Sequence, residues 1–257
     1  MAFKTEGRIY TTPVGRLWSV TTLLGIIDKS GPLTYWAAKQ AVLYVEQELE
    51  KAYVTYPASY EIPVRDMRRI LDAAKKEFRN AKEKAANRGK EVHKLIEEWV
   101  RQGYKGTDDL EEDFPKASNG EIANSFQLFL NWAREAELEP LESERVIYHP
   151  NQEFAGTADL IARGKFNKKW RKSRIYLLDM KTSKDFYETF GPQISAYTEG
   201  YRNTPKSKHQ IDGMGIIRIG VEDGKPEFRD YTEHHSLNYM RFLAAKEAYI
   251  LWKGRPE

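Results

Sequence analysis

The stretch LLDMKTSK, residues 177–184, decides how this chain is read. It opens as an apolar strand with Leu177, Leu178 and Met180, yet it carries Asp179 and Lys181. Both resist burial, so a core strand that includes them must pair them or use them. Residues i and i+2 of a strand share a face, so Asp179 and Lys181 point the same way. On these residues alone two readings stand: an ion pair at a strand edge, or part of a site that acts on a substrate.

Working outward, ESERVIYHP, FAGTADLIARG and RIYLLDMKTS read as three successive strands joined by turns. The second carries Asp159 among small and apolar residues, and RGKFNKKWRKSR after it reads as a hairpin connection. Pairing of the two strands brings Asp159 near Asp179 and Lys181. Two buried carboxylates repel, and each is costly alone. A hard divalent cation, Mg2+ or Mn2+, takes oxygen ligands and neutralises both. A lysine beside such an ion holds a water or helps to deprotonate it, which is one way to attack a phosphodiester. Glu144, opening ERVIYHP, is either a further carboxylate at the sheet edge or a solvated strand start.

Upstream the period is helical. RIYTTPVGRLWSVTTLL, residues 8–24, reads as an extended segment, a Pro/Gly turn and a helix start capped by Ser19 or Thr21. A helix follows with Pro32 in its first turn. From Val64, the residues Met67, Ile70, Leu71, Ala74, Phe78, Ala81 and Ala85 recur at helical spacing, and Gly89 marks an expected kink or a new helix. In NRGKEVHKLIEEW, His93 and Glu97 share a helix face, so His93 is a candidate imidazole ligand. GYKGTDDLEEDFPKASNG is expected as a solvated loop and EIANSFQLFLNWAREAEL as an amphipathic helix. After the strands, FYETFGPQISAYTEGYRN returns to helix, QIDGMGIIRIG to strand, and His235 to Trp252 to helix. The fold class expected is α/β (α+β), a central mixed sheet flanked by helices. Residues 1–139 are expected to be mainly helical and 140–257 sheet-bearing, within a single domain.

Composition narrows the chemistry. The chain has 257 residues, with 41 Lys and Arg against 38 Asp and Glu, a formal charge of +3. That permits nucleic-acid binding without requiring it. With no cysteine, disulfides, thiolate zinc, cysteine nucleophiles and cysteine-held iron–sulfur clusters are excluded, so any metal sits on oxygen or imidazole. No apolar run reaches the length of a membrane span, and MAFKTEGRIYTT lacks a signal peptide's apolar stretch. A cytoplasmic protein of a bacterial or phage-infected cell is expected, with an organelle as the alternative.

Taken in order, RGKEVHKLIEE, SERVIY, FAGTADLIA, LLDMKTSK and GPQISAYTEGY resemble the RecB-like branch of the PD-(D/E)XK nucleases, which includes phage and mitochondrial single-strand exonucleases. WSVTTLLGIIDKSGPLTYWAAKQA also looks like the N-terminal helical region of that family. The resemblance implies a restriction-endonuclease-like core with an N-terminal helical region arching over the active site. It makes His93, Asp159, Asp179 and the Met180 backbone carbonyl the ligands of Mg2+ or Mn2+. Lys181 would position or activate the attacking water, and Glu144 matches the acidic residue of the first core strand. Gln193 and Tyr197 match a QxxxY element beside the metal and the DNA backbone. Ala158 stands where the signature has proline, and Asp179 replaces the commoner glutamate. Several relatives hold an iron–sulfur cluster on four cysteines; here direct packing of the terminal segments must replace that clamp.

KFNKKWRKSR, residues 165–174, includes Lys165, Lys168, Lys169, Arg171, Lys172 and Arg174, with Phe166 and Trp170 interleaved. It reads as a solvated hairpin tip or as a surface where lysines meet phosphates and an aromatic stacks on a base. Lys169, Trp170 and Arg171 are the candidate contacts. Arg68, Lys75, Arg79, Lys82 and Lys84 on the long helix are expected to be mostly solvated, interleaved with acids. The activity implied is metal-dependent, sequence-nonspecific DNA exonuclease action on single-stranded or end-bearing DNA, in recombination, repair or replication. The rivals are a flap-type endonuclease of the same fold and a catalytically idle DNA-binding module.

Overall fold

Strand pairing organises the chain. The computed structural model describes residues 4–6, 8–27, 30–55, 62–108, 115–166, 172–219 and 226–256. Three short strands come first: β1 (Lys4–Glu6), β2 (Ile9–Thr12) and β3 (Gly15–Ser19), paired as an antiparallel meander. Thr12 Oγ1 donates to the Gly15 carbonyl at 2.9 Å and closes the turn, where Gly15 takes φ 115°, a conformation open to glycine. Ser19 then caps α1 (Val20–Leu23), its hydroxyl accepting from the Thr22 N–H at 3.1 Å. This is one of the two caps that the sequence offers.

Two long helices follow, α2 (Ser30–Thr55) and α3 (Val64–Arg101), then α4 (Gly120–Glu135), capped by the Asn119 side chain. The remaining elements are β4 (Glu139–His149), β5 (Phe154–Gly164), β6 (Arg174–Lys181), α5 (Phe190–Asn203), β7 (Gly213–Ile219), β8 (Pro226–Asp230) and α6 (His235–Lys253). All eight strands join one sheet in the order β1-β2-β3-β5-β6-β7-β8, with β4 along β5. The β3–β5 and β6–β7 pairs are parallel and the others antiparallel. The protein is therefore α+β, with a mixed sheet flanked by helices, as the change of period implies.

Alternation along β6 divides the core. Tyr176, Leu178 and Met180 pack with Val92, Leu95, Ile96 and Trp99 of α3 and with Phe126 and Phe129 of α4. Leu177 packs on the other face with Ile194 and Tyr197 of α5 and Phe242 of α6. The chain ends meet in this second layer: Val20, Leu23 and Leu24 share a cluster with Phe242 and Ala245. Trp18 Nε1 donates to the Gly254 carbonyl at 3.0 Å. Direct packing of the terminal segments thus takes place.

Three features differ from the sequence reading. First, α3 runs unbroken through Gly89. Glycine in a helix costs about 1 kcal/mol relative to alanine; here a Cβ would lie 3.1 Å from Thr182 Oγ1, so its absence permits close approach to the segment after β6. Second, β1, β3 and β8 are short strands that the period did not reveal, whereas β2 coincides with the extended segment expected before the Pro/Gly turn; β8 presents one apolar residue, Phe228, to the core. Third, the compact units are Met1–Ile27 with Gly89–Glu257, and Asp28–Arg88. Within the mainly helical residues 1–139, β1–β3 belong to the same sheet as β4–β8.

The unit Asp28–Arg88 holds α2 and the first part of α3. Trp36 meets Phe78 edge-on at 5.4 Å, and Ile70 and Ala74 are buried. Arg68, Lys75, Arg79, Lys82 and Lys84 are exposed as expected, with Lys75 paired to Asp72 at 2.8 Å. No helix of the described residues is long and apolar enough to cross a membrane.

Gly213 opens β7 against Tyr176, whose ring is 1% exposed and whose hydroxyl donates to Asp230 Oδ2 at 2.8 Å. A Cβ at Gly213 would lie 2.2 Å from Tyr176 Cζ, and the anchored ring has little freedom to yield. Gly213→Ala is expected to destabilise the protein by roughly 1–3 kcal/mol, read as a drop of several degrees in Tm. An unchanged melting curve would contradict this packing.

Candidate metal centre

The site begins with a gap in the sheet. β4 pairs β5 from Arg163 to Phe154. A strand has two edges, so β3 and β6 share the other one. β3 takes residues 154 and 155, and β6 takes residues 160–164. Among the described strands, none pairs residues 156–159 on that side. Asp159 lies at the end of this gap, and its Oδ2 accepts a hydrogen bond from the Met180 N–H at 2.8 Å. A side chain thus satisfies a backbone donor where β6 leaves the ladder. Tyr10 on β2 fills part of the same opening, its hydroxyl 2.9 Å from Thr157 Oγ1.

Side-chain alternation slips at this point. Ala158 and Ile161 belong to the same core layer although they are three positions apart, which strict alternation forbids. Opposite, Ser143 pairs with Leu160 and Arg145 with Ala158, so Glu144 stands across from Asp159. Glu144 has φ 46°, a left-handed conformation rare for a residue with a side chain. Such a residue stores about 1–3 kcal/mol and persists only where its surroundings hold it.

Asp179 occupies the middle of the sheet, between β5 and β7, and is 1% exposed. Its Oδ2 is 2.6 Å from Lys181 Nζ, so the shared face inferred from i, i+2 spacing exists. Gln193 Nε2 donates to Asp179 Oδ1 at 3.1 Å and is 3.2 Å from the Tyr197 hydroxyl. Gln193 and Tyr197, one turn apart on α5, therefore reach the Asp179 carboxylate as a relay. Burial pushes the Asp179 carboxyl up, against the pull of Lys181. For Lys181, burial works against the ammonium, but Asp179 and Asp159 outweigh it and hold the group above its ordinary value. Burial, followed by Asp179 and Asp159, raises the Tyr197 phenol.

His93 enters from α3. A carbonyl only accepts, so its Nε2 carries the proton and donates to the Met180 carbonyl at 3.0 Å. Its Nδ1 lies 3.6 Å from Asp159 Oδ2. Ligand atoms of His93, Glu144 and Asp159 all lie within 4.8 Å of one another. Burial pushes the Glu144 carboxyl up to about 7, Asp159 adds to this and His93 opposes it, with smaller contributions from Glu97 and Asp179. Two carboxylates and an imidazole suit a hard or borderline divalent cation.

The residues named from the sequence divide into three sets. His93, Glu144 and Asp159 converge, with the Met180 carbonyl on His93. Asp179 stands beside them, engaged by Lys181 and Gln193 instead of by the convergent group. Lys169, Trp170 and Arg171 lie outside the described residues. Within the same basic run, Phe166 is no stacking residue: it is 9% exposed and packs against Trp132, Tyr176 and Phe228. Lys165 pairs with Glu137 at 2.7 Å, while Lys172 and Arg174 are exposed. Tyr10 and Phe190 were not legible as site neighbours. Lys181 Nζ lies 5.3 Å from the centre of the Phe190 ring.

Glu144 also gives a signed pH dependence. Its carboxyl rises from 4.5 to about 7 on folding, so the folded state binds the proton more tightly. The stability this contributes is fully present below the unfolded value and is lost as pH rises through the folded one. Removing the charge with Glu144→Gln is expected to raise stability at about pH 8 by on the order of 1–2 kcal/mol, after allowance for solvent screening, with the gain vanishing near pH 4.5. Metal-free thermal melts across this range check it, and a pH-independent difference would contradict the burial of the charge. Set against known proteins, the chain matches no family model and no curated protein.

Proposed function

We propose that this protein is a divalent-metal-dependent deoxyribonuclease with a restriction-endonuclease-like core, similar to the RecB-like PD-(D/E)XK nucleases. It acts as an exonuclease on single-stranded or end-bearing DNA. The observation that carries this reading is the half-buried Lys181 ammonium, 2.6 Å from Asp179 and adjoining the convergent His93, Glu144 and Asp159. An ammonium held charged beside surplus carboxylates suits water positioning and stabilisation of charge that develops on a phosphate. A structural ion pair has no need of the neighbouring histidine and strained glutamate.

When bound, Mg2+ or Mn2+ neutralises the acidic group and acts as a Lewis acid toward a phosphoryl oxygen. His93, Glu144 and Asp159 would hold it, with the Met180 carbonyl available once His93 turns its ring nitrogen to the ion. Lys181, being protonated, donates a hydrogen bond to the attacking water and leaves base work to another group. Gln193 and Tyr197 fix the Asp179 carboxylate, which in turn fixes Lys181. In the substitution at phosphorus the water oxygen bonds to phosphorus and gives up one proton as the bond to the leaving oxygen breaks, and that oxygen takes up one proton, so that one water is consumed per bond cut.

Purified protein with 5′- and 3′-labelled linear oligonucleotides and Mg2+ is expected to shorten them from an end, while a circular single strand survives. EDTA is expected to stop cleavage and Mn2+ to restore it. Lys181→Ala is expected to lower the rate by about 10²–10³-fold. His93→Ala is expected to raise the Mn2+ concentration needed by about tenfold or more. Cleavage that survives EDTA, or that Lys181→Ala leaves intact, would refute this assignment.

A further inference from the structure

Three aromatic side chains among the described residues are more than half exposed: Tyr35 at 74%, Trp252 at 78% and Tyr187 at 51%. Only Tyr187 belongs to the segment that leaves β6 directly after Lys181. Its ring stands edge-on to Phe190 at 5.3 Å, and Lys181 Nζ lies 5.3 Å from that same Phe190 ring. Two such steps connect the exposed tyrosine to the ammonium of the site.

The segment is also braced. Phe190 N–H donates to the Tyr187 carbonyl at 3.0 Å, and Ser183 Oγ donates to the Asp185 carbonyl at 2.9 Å. The neighbouring Phe186 ring is covered by the Arg229 guanidinium, 3.8 Å from its centre. Arg229 is itself half exposed and 3.6 Å from Glu227, and Lys184 is exposed nearby in sequence. The result is a Tyr187 ring seated on Phe190 within an anchored loop, flanked in sequence by the exposed acids Asp185 and Glu188 and with the cation Arg229 on the adjoining Phe186 ring. A single exposed ring is ordinary on a protein surface; what sets Tyr187 apart is its place, two ring contacts from the Lys181 ammonium.

We propose that Tyr187 is a stacking platform for an unpaired base of the strand whose phosphate reaches Lys181. This rests on the nuclease reading for its location and adds the substrate class: a strand whose bases are free to splay. Bases within a duplex already stack on each other and offer no open face to the ring. Base–aromatic stacking is tolerant of sequence, in keeping with sequence-nonspecific action.

The full chain is titrated, with Ca2+ in place of Mg2+, into single-stranded oligonucleotides carrying 2-aminopurine at successive positions, and into a fully paired duplex. Wild-type protein is expected to quench the fluorophore at one or two positions near an end. Tyr187→Phe is expected to retain the quenching, because the hydroxyl is not needed. Tyr187→Ala is expected to lose it and to bind single strands about tenfold more weakly, with duplex binding unchanged. Wild-type-like binding by Tyr187→Ala, or an equal loss on single strands and duplex, would overturn the platform. Failure of the nuclease reading is distinguishable: wild-type protein would then show the Tyr187-dependent quenching yet cleave nothing with Mg2+ or Mn2+.

Discussion

The structure turns on a carboxylate buried where burial is most costly. Asp179 lies in a central strand with almost no exposure, and a lone charge there would cost several kcal/mol. Its compensation fixes everything nearby. Lys181 must fold back along the same face, and Gln193 must reach in from α5. Gln193 also meets Tyr197, whose ring packs so tightly on β5 that a Cβ at Gly156 would lie 2.7 Å from it. The pairing of one charge therefore constrains a strand, a helix and a glycine on the neighbouring strand.

The opening of the sheet beside that pair is the second constraint. β5 is shared by β3 and β6 along one edge, and where they part the backbone donor of Met180 finds the Asp159 side chain. Asp159 cannot be both a ladder cap and an ordinary alternating residue, so alternation slips and Glu144 opposite adopts a positive φ. The strain and the repulsion have one location. Glu144, Asp159, Asp179 and Glu97 influence one another there, while the Lys181 charge is paired with Asp179 and also acts on Asp159. A surplus of negative charge around a half-open notch, with an imidazole on its rim, is an environment that draws a cation.

Helix packing delivers the imidazole. His93 lies one turn beyond Gly89, and the glycine allows α3 to approach the segment following β6. The sheet supplies carboxylates from three strands, Glu144 on β4, Asp159 on β5 and Asp179 on β6; one helix layer supplies the histidine and the other supplies the glutamine. That division of labour makes the site sensitive to relative layer position, which well-packed aromatic clusters such as Trp99 on Phe129 hold in place.

Local pattern carried much of this. The three strands ESERVIYHP, FAGTADLIARG and RIYLLDMKTS, the helices on either side, the Ser19 cap and the common face of Asp179 and Lys181 follow from periods of 2 and 3.6 and from side-chain chemistry, which act over a few residues. The short strands β1, β3 and β8 have too few alternations to stand out, and their pairing comes from the sheet that receives them. Gly89 read as a break because propensity is local, whereas close approach to Thr182 is not. Phe166 looked like part of a basic surface because its charged neighbours are adjacent in the chain, while its partners Trp132, Tyr176 and Phe228 are distant. The convergence of Glu144 with His93 and Asp159, and the presence of Tyr10 and Phe190 beside the site, were decided by tertiary structure. Registers and layer contacts join residues far apart in sequence, and no local periodicity encodes which of them will meet.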